Sequence, residues 1–295
     1  MQIAETIQEL RQARQKLSGR IGLVPTMGYL HEGHLSLVRT ARAECDHVLA
    51  TIFVNPAQFS AQEDLASYPR DLPRDLAMLE AEGVGLVFTP SAELMYPPGY
   101  QTYVTVEQVS QGKEGSARPG HFRGVATVVA KLFNLIQAQR AYFGQKDAQQ
   151  VAVIRRMTHD LNFPLEIVVC PIVREADGLA MSSRNVYLSP AERRAAAVVP
   201  QAWQRAAQAY GAGERHPEVL RSIVREHIAQ EPLARLDYVS VASARTLAEQ
   251  DAPSEEPLLL SLAVQVGRPR LLDNCLLPMA LNTREGASAV LGRIE

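Results

Sequence analysis

Residues 21–34 read Ile-Gly-Leu-Val-Pro-Thr-Met-Gly-Tyr-Leu-His-Glu-Gly-His. The opening IGLVP is a short apolar run, and a polar turn follows it. From His34 to Cys45 the apolar positions return at helical spacing. A strand that is apolar throughout is buried on both faces, as in a parallel sheet. The same rhythm recurs outward from this point. Strand-like runs stand at 47–55 (HVLATIFVN), 84–89 (VGLVFT), 140–144 and 165–174 (LEIVVCPIVR). Helical stretches separate them at 73–82, 124–139 and 147–161. Pro73 opens the first of these and Gly83 stops it. Upstream, Ile3, Ile7, Leu10 and Leu17 fit one face of an opening helix. Alternating strands and helices make βαβ units, so the expected class is α/β with a Rossmann-like parallel sheet. Such sheets bind ligands at the carboxyl ends of their strands.

The rhythm changes after about residue 173. Ser189-Pro190-Ala191-Glu192 is a capping box with proline at the first helical position, opening a helix to about Tyr210. A second helix begins near Pro217. Strands are expected at 236–242, 257–266 and 270–277, with no helix between the last two. That pattern is α+β and antiparallel. The expected domains are therefore 1–173, Rossmann-like and nucleotide-binding, and 174–295, a smaller α+β lid domain.

The 295 residues are 46% hydrophobic and 21% charged, the composition of an ordinary globular protein. Lys plus Arg is 30 and Asp plus Glu is 32, a net charge of -2, which gives no global field for nucleic acid. Cys45, Cys170 and Cys275 are far apart and form no CxxC, so they read as reduced core residues of a cytoplasmic protein. The first 16 residues lack the apolar stretch of a signal peptide. The most apolar segment, 258–266, is too short to span a bilayer.

Four segments carry chemistry. In the first, residues 25–34, a strand enters a helix. The helix N-terminus offers unpaired N–H groups and partial positive charge, which suit a phosphate. His31 and His34 flank Glu32-Gly33, and Gly33 lets a ligand approach the backbone closely. Either histidine alone is equally a helix cap; the pair at a βα junction points to a ligand. HExGH has a spacing of three rather than the four of HExxH, and no third ligand is near, which disfavours zinc. Neither GxGxxG nor a P-loop is present. In the second segment, Asn55 and Gln58 offer amides after Pro56 breaks the strand. In the third, Gly144-Gln145-Lys146-Asp147 places a cation at a helix start, against the helix dipole, which is tolerable where an anion meets it. Gln150 follows one turn later. In the fourth, residues 175–185, two hydroxyls and Arg184 follow an Asp177-Gly178 turn and make a phosphate clamp on a loop.

HxGH resembles the signature of the nucleotidylyltransferase superfamily. Taken in order, PTMGYLHEGH, FVNPAQF, YPRDL, RPGHFRG, FGQKDAQQ and READGLAMSSRN resemble the pantothenate synthetase (pantoate–beta-alanine ligase) family, specifically over about residues 20–190 and more loosely beyond. The resemblance implies an ATP- and Mg²⁺-dependent condensation of D-pantoate with β-alanine through pantoyl adenylate, releasing AMP and pyrophosphate. It implies a cytoplasmic homodimer working on small molecules, with neither nucleic acid nor membrane as partner. Carried onto matching positions, it makes His34, His31, Lys146 and Arg184 catalytic. Nucleotide contacts fall to Met27, Gly28, Tyr29, Leu30, His31, Glu32, Gly33 and His34, to Gly144, Gln145, Lys146 and Asp147, to Val173, and to Met181, Ser182, Ser183 and Arg184. Gln58 and Gln150 hold pantoate, with Asn55 beside them. Some relatives carry consecutive acids after YPR; Arg74 interrupts them here, leaving Asp75 to assist Mg²⁺. Arg118 and Arg123 receive no role. Two other functions fit the motifs without the resemblance. One is a nucleotidyl transfer to a phosphorylated acceptor. The other is nucleotide binding without catalysis.

Overall fold

The computed structural model describes residues 1–61 and 63–293; residues 294 and 295, the end of the expected second domain, lie outside the described residues. The chain divides into two compact units. One is Met1–Phe143 with Val153–Cys170, and the other is Gly144–Ala152 with Pro171–Glu295. The second unit thus takes in a short stretch that follows the fifth strand as well as the C-terminal part.

The first unit opens with β1 (Gln2–Ala4) and α1 (Ile7–Gln15), not with one continuous helix. A capping box explains the late start. Thr6 Oγ1 accepts from the Glu9 N–H at 3.2 Å, and the Glu9 carboxylate accepts from the Thr6 N–H at 3.0 Å. Ile3, expected on a buried helix face, is an exposed strand residue instead. Then follow β2 (Ile21–Thr26), α2 (Glu32–Glu44), β3 (His47–Ile52), α3 (Leu72–Ala81) and β4 (Leu86–Phe88). Two short helices, α4 (Ala92–Met95) and α5 (Lys113–Ala117), precede α6 (His121–Ile136) and β5 (Arg140–Gly144). Helix α7 (Ala148–Asp160) leads to β6 (Glu166–Cys170), which ends before Pro171 and so is shorter than the apolar run 165–174.

The strand order is β1-β4-β3-β2-β5-β6. Strands β1 with β4, β4 with β3, β3 with β2 and β2 with β5 all pair in parallel. From β2 the chain builds one way through β3 and β4, then returns to add β5 and β6 on the other side. The order therefore reverses between β2 and β5, the place where open α/β sheets hold their ligands. The core behind that point includes Val24, Leu30, Val38, Ala50, Leu79, Val87 and Tyr142, all buried. Each large apolar side chain among them contributes about 1.5–3 kcal/mol through burial.

In the second unit the helix expected over about 189–210 is two: α8 (Pro190–Ala195) and α9 (Val198–Gly211). Pro200 has no N–H to give the Ala196 carbonyl, so the ladder cannot run through. Helix α10 (Pro217–Ile228) follows, then β7 (Ala234–Ser243), β8 (Leu258–Val266) and β9 (Arg270–Leu277). They form an antiparallel sheet in the order β7-β8-β9, as the sequence pattern implied. Trp203, Leu220, Val224, Leu260 and Leu262 belong to its core. The last helix, α11 (Arg284–Val290), had no counterpart in the sequence reading. No disulfide joins Cys45, Cys170 and Cys275; Cys170 and Cys275 are buried as expected, whereas Cys45 is only half-buried.

Candidate functional site

In the first unit the site residues follow the carboxyl end of β2. Gly28 turns the chain with φ +83°, and a Cβ there would lie 3.0 Å from both an Asp75 oxygen and Ile52. Tyr29 also takes a positive φ, 49°. A buried carboxylate holds this bend. The Tyr29 N–H donates to Asp75 Oδ2 at 2.6 Å, and the Leu30 N–H donates to Asp75 Oδ1 at 2.7 Å. Asp75 is 1% exposed, and burial pushes its carboxyl above the ordinary aspartate value, against those two N–H bonds and the Arg74 charge. Arg74 also donates to the Leu30 carbonyl at 3.0 Å.

His31 is the N-cap of α2. Its Nδ1 accepts from the Gly33 N–H at 3.1 Å, and the His31 N–H donates to His34 Nδ1 at 3.3 Å. The two rings lie 4.1 Å apart between centroids, tilted by 43°. The capping reading is therefore met, through the Nδ1 atoms of both rings. Each Nδ1 accepts a backbone proton, which puts the ring proton of the neutral imidazole on Nε2. Each ring is thus an N–H donor at a helix N-terminus, suited to phosphate oxygens.

Asn55 and Gln58 stand beyond β3, on a 3-10 turn at Pro56–Gln58. Asn55 Nδ2 donates to Gln58 Oε1 at 3.0 Å and to the Gly124 carbonyl at 3.1 Å. Its Oδ1 accepts from the Tyr96 hydroxyl at 2.8 Å and from the Ala57 N–H at 3.3 Å. Both amide protons of Asn55 are committed to the protein. Gln58 Nε2 reaches Met27 Sδ at 3.0 Å. Within the first unit the structure therefore joins Met27 to Asn55 through Gln58.

In the second unit Gln145–Asp147 is a 3-10 turn leading into α7, with Lys146 Nζ 3.7 Å from Asp147 Oδ1. Strand β9 fixes it. Asn274 Nδ2 donates to the carbonyls of Gln145 at 3.0 Å and Lys146 at 2.9 Å. Gln145 Nε2 donates to Asn274 Oδ1 at 3.2 Å and to Asn282 Oδ1 at 3.0 Å, while the buried Gln145 Oε1 has no partner among the described residues. An orphaned buried acceptor suits a ligand hydroxyl or amino group. Gln150, half-buried, stands in the first turn of α7.

The fourth segment is a small hairpin. Arg174 bridges Ala180, and the Met181 N–H donates to the Val173 carbonyl at 3.0 Å. Arg174 forks onto Asp273, with Nη1 to Oδ2 at 2.7 Å and Nη2 to Oδ1 at 2.9 Å. Trp203 Nε1 donates to the same Oδ2 at 2.9 Å. Arg174 Nη2 also reaches the Asn274 carbonyl at 3.3 Å. Asp273-Asn274 therefore holds both the lysine turn and the clamp hairpin. Ser182 caps the short 3-10 helix Ser183–Tyr187, its Oγ accepting from the Arg184 N–H at 3.3 Å.

Sequence reasoning missed Asp273, Asn274, Asn282, Trp203 and Tyr96. One signal was available: two adjacent polar residues interrupt the apolar strand Arg-Leu-Leu-Asp-Asn-Cys-Leu-Leu, and buried polar residues need a reason. Among the described residues no group of three His, Cys, Asp or Glu side chains is placed to hold a metal ion.

A family model described as pantoate-beta-alanine ligase matches residues 2–276. The pantothenate synthetase of Roseiflexus sp. (strain RS-1) is 63% identical over 277 residues, covering 94% of this chain and 99% of that protein. The crystal structure of pantothenate synthetase from Thermus thermophilus matches with a TM-score of 0.88 at 47% identity, covering 93% of this chain and 98% of that one. A pantoate-beta-alanine ligase from Francisella tularensis, complexed with beta-gamma ATP and beta-alanine, matches with a TM-score of 0.78 at 32% identity, covering 94% and 97%.

Proposed function

The chain belongs to the pantoate-beta-alanine ligase family, and we propose from that premise how its own residues divide the work. The reaction is an AMP-forming amide ligation that condenses pantoate with β-alanine at the expense of ATP. Pantoate's carboxylate attacks the α-phosphorus of ATP, and the bond to the departing pyrophosphate breaks. The β-alanine amine then attacks the acyl carbon of pantoyl adenylate. AMP leaves, and the nitrogen gives up its proton.

A carboxylate is ionised at neutral pH, so the first step needs no general base. It needs donors where charge grows on phosphoryl oxygens, held before the reaction begins. The observation that carries the assignment is the pair of imidazoles at the start of α2, both with Nδ1 taken by backbone N–H groups. His31 and His34 therefore present Nε2–H to the nucleotide phosphates, with residues 27–33 shaping the loop around it. Lys146 neutralises charge on the α-phosphoryl group. Gly144, Gln145 and Asp147 shape the nucleotide contact beside it, and the unpartnered Gln145 Oε1 takes a nucleoside donor. Val173 meets adenine through its main chain. Met181, Ser182, Ser183 and Arg184 hold the pyrophosphate portion. Gln58 and Gln150 bind pantoate's hydroxyl and carboxylate, with Asn55 orienting Gln58.

The nucleotide found with the Francisella relative supports ATP as co-substrate. Mg²⁺ is proposed to arrive on the ATP phosphates, held by their oxygens and water. Both oxygens of Asp75 already accept a backbone N–H, so each has only its remaining lone pair to offer. No helix among the described residues is long and apolar enough to cross a membrane. A cytoplasmic homodimer remains part of the proposal.

ATP–pyrophosphate exchange with Mg²⁺ and pantoate, leaving out β-alanine, tests the route. Exchange that requires pantoate is expected, and β-alanine then yields AMP and pantothenate. No exchange from folded, ATP-binding protein would reject adenylate formation.

A further inference from the structure

The RPGHFRG segment, residues 118–124, closes directly on Gln58. Helix α6 begins at His121 and packs against the 3-10 turn Pro56–Gln58. Gly124 permits that approach: a Cβ there would lie 2.1 Å from the Ala57 carbonyl oxygen and 2.6 Å from Gln58 Cα. The Gln58 carbonyl receives two donors from this side. His121 Nδ1 lies 2.9 Å away, and Arg118 Nη2 lies 3.3 Å away. A carbonyl only accepts, so His121 carries its proton on Nδ1. Its Nε2, 3.1 Å from Arg118 Nη1, is then the acceptor of the guanidinium proton. Arg118 is held in turn by Glu63 through its Nε, and the Glu63 carboxylate accepts from the Ser60 N–H at 2.7 Å. His121 is 8% exposed, and burial with the adjacent guanidinium pushes its imidazole down to about 4. A second proton on Nε2 would break the Arg118 bond and set two cations side by side.

We propose that His121 and Arg118 are positioning residues that set pantoate affinity by clamping the main chain of Gln58. The inference rests on the reading of Gln58 as a pantoate ligand. The clamp complements the side-chain bonds. Asn55 fixes the Gln58 side-chain oxygen, which leaves Nε2 on the Met27 side. The main-chain bonds fix where that amide starts from. A shift of about 1 Å in a substrate-holding group is enough to cost a large factor in rate or affinity.

The test compares His121→Phe, His121→Asn, Gln58→Ala and the double variant His121→Phe/Gln58→Ala, reading kcat and KM for pantoate and ATP beside a thermal melt. His121→Phe is expected to raise the pantoate KM about tenfold and the ATP KM less than about twofold, the mark of a lost pantoate contact rather than general damage. Asn can still donate to the carbonyl, so His121→Asn should recover most of the loss. In the Gln58→Ala background His121→Phe should add less than about twofold, because the two residues act as one unit. Equal increases in both KM values, no recovery with Asn, or effects that multiply in the double variant would each overturn the clamp. A Gln58→Ala protein with unchanged pantoate KM would instead overturn the reading of Gln58 itself. Should His121→Phe fail to fold, Glu63→Gln loosens Arg118 without touching the buried imidazole. It should give a smaller rise confined to pantoate; no rise, or one shared with ATP, counts against the clamp.

Discussion

The two units hold their proposed phosphate-binding segments in different ways. In the first, one buried carboxylate on α3 gathers the backbone N–H groups of Tyr29 and Leu30, and the histidine loop follows from that bend. In the second, Asn274 holds the lysine turn by its carbonyls, and a forked ion pair holds the hairpin, with Arg174 on Asp273 and the Trp203 indole on the same oxygen. A backbone-gathering carboxylate fixes a loop whatever side chains that loop carries. An ion pair fixes only the two residues that form it, and it leaves a charge uncompensated if either goes. The two units should therefore fail differently when their anchors are cut.

The largest effect is expected in the second unit. Asp273→Ala leaves Arg174 without its carboxylate in a site where the Asp273 side chain is 0% exposed. Breaking a buried pair from one side costs about 3–5 kcal/mol, so chemical denaturation should show a loss of that size. A loss under about 1 kcal/mol would mean that the pair is screened and carries no fixed geometry. The first unit should respond less. Asp75→Asn keeps one acceptor but turns an NH₂ toward a second backbone N–H, costing about 1–3 kcal/mol. Turnover should fall beside stability, because the bend positions His31 and His34. Lost stability with unchanged turnover would show that the bend does not position the rings.

The smallest effect sharpens the contrast through its sign. Burial raises the folded-state pKa of Asp75 above its ordinary value. Its contribution is therefore fully present below the unfolded pKa and is lost as pH rises through the raised folded value. The Arg193 bond lowers the pKa of Asp177 in the second unit. Its contribution is present above the unfolded pKa and is lost as pH falls through the folded value. Denaturation of wild type, Asp75→Asn and Asp177→Asn over about pH 3–6 should give difference curves of opposite slope. Slopes of the same sign would contradict the opposite environments of these two carboxylates.

This difference also decides what the sequence could reveal. The apolar strands at 21, 47, 84 and 140 and the βα junction between them were legible because their signals are local: a run, a turn, a cap. So was the antiparallel order of β7, β8 and β9. The histidine loop, the lysine turn and the Ser-Ser-Arg clamp were legible as motifs. Their supports were not. Asn274 reaches back 128 residues to the Lys146 carbonyl, and nothing in either local stretch announces the other. Asp75 lies in a recognisable motif, but its two backbone bonds depend on the positive φ of Gly28 and Tyr29, which only the fold displays. The split of α8 from α9 was missed because the capping box at Ser189 is a strong start signal, whereas Pro200 acts on a carbonyl four residues earlier.

The central claim is that the imidazoles and Lys146 stabilise charge on the phosphates during adenylation. Pantoate-dependent ATP–pyrophosphate exchange, measured on His34→Ala and Lys146→Ala proteins that melt normally and bind ATP, tests it most directly. Each is expected to lose at least about 10²-fold in exchange rate, the scale of one missing transition-state donor. Exchange at near wild-type rates in both would contradict the assignment.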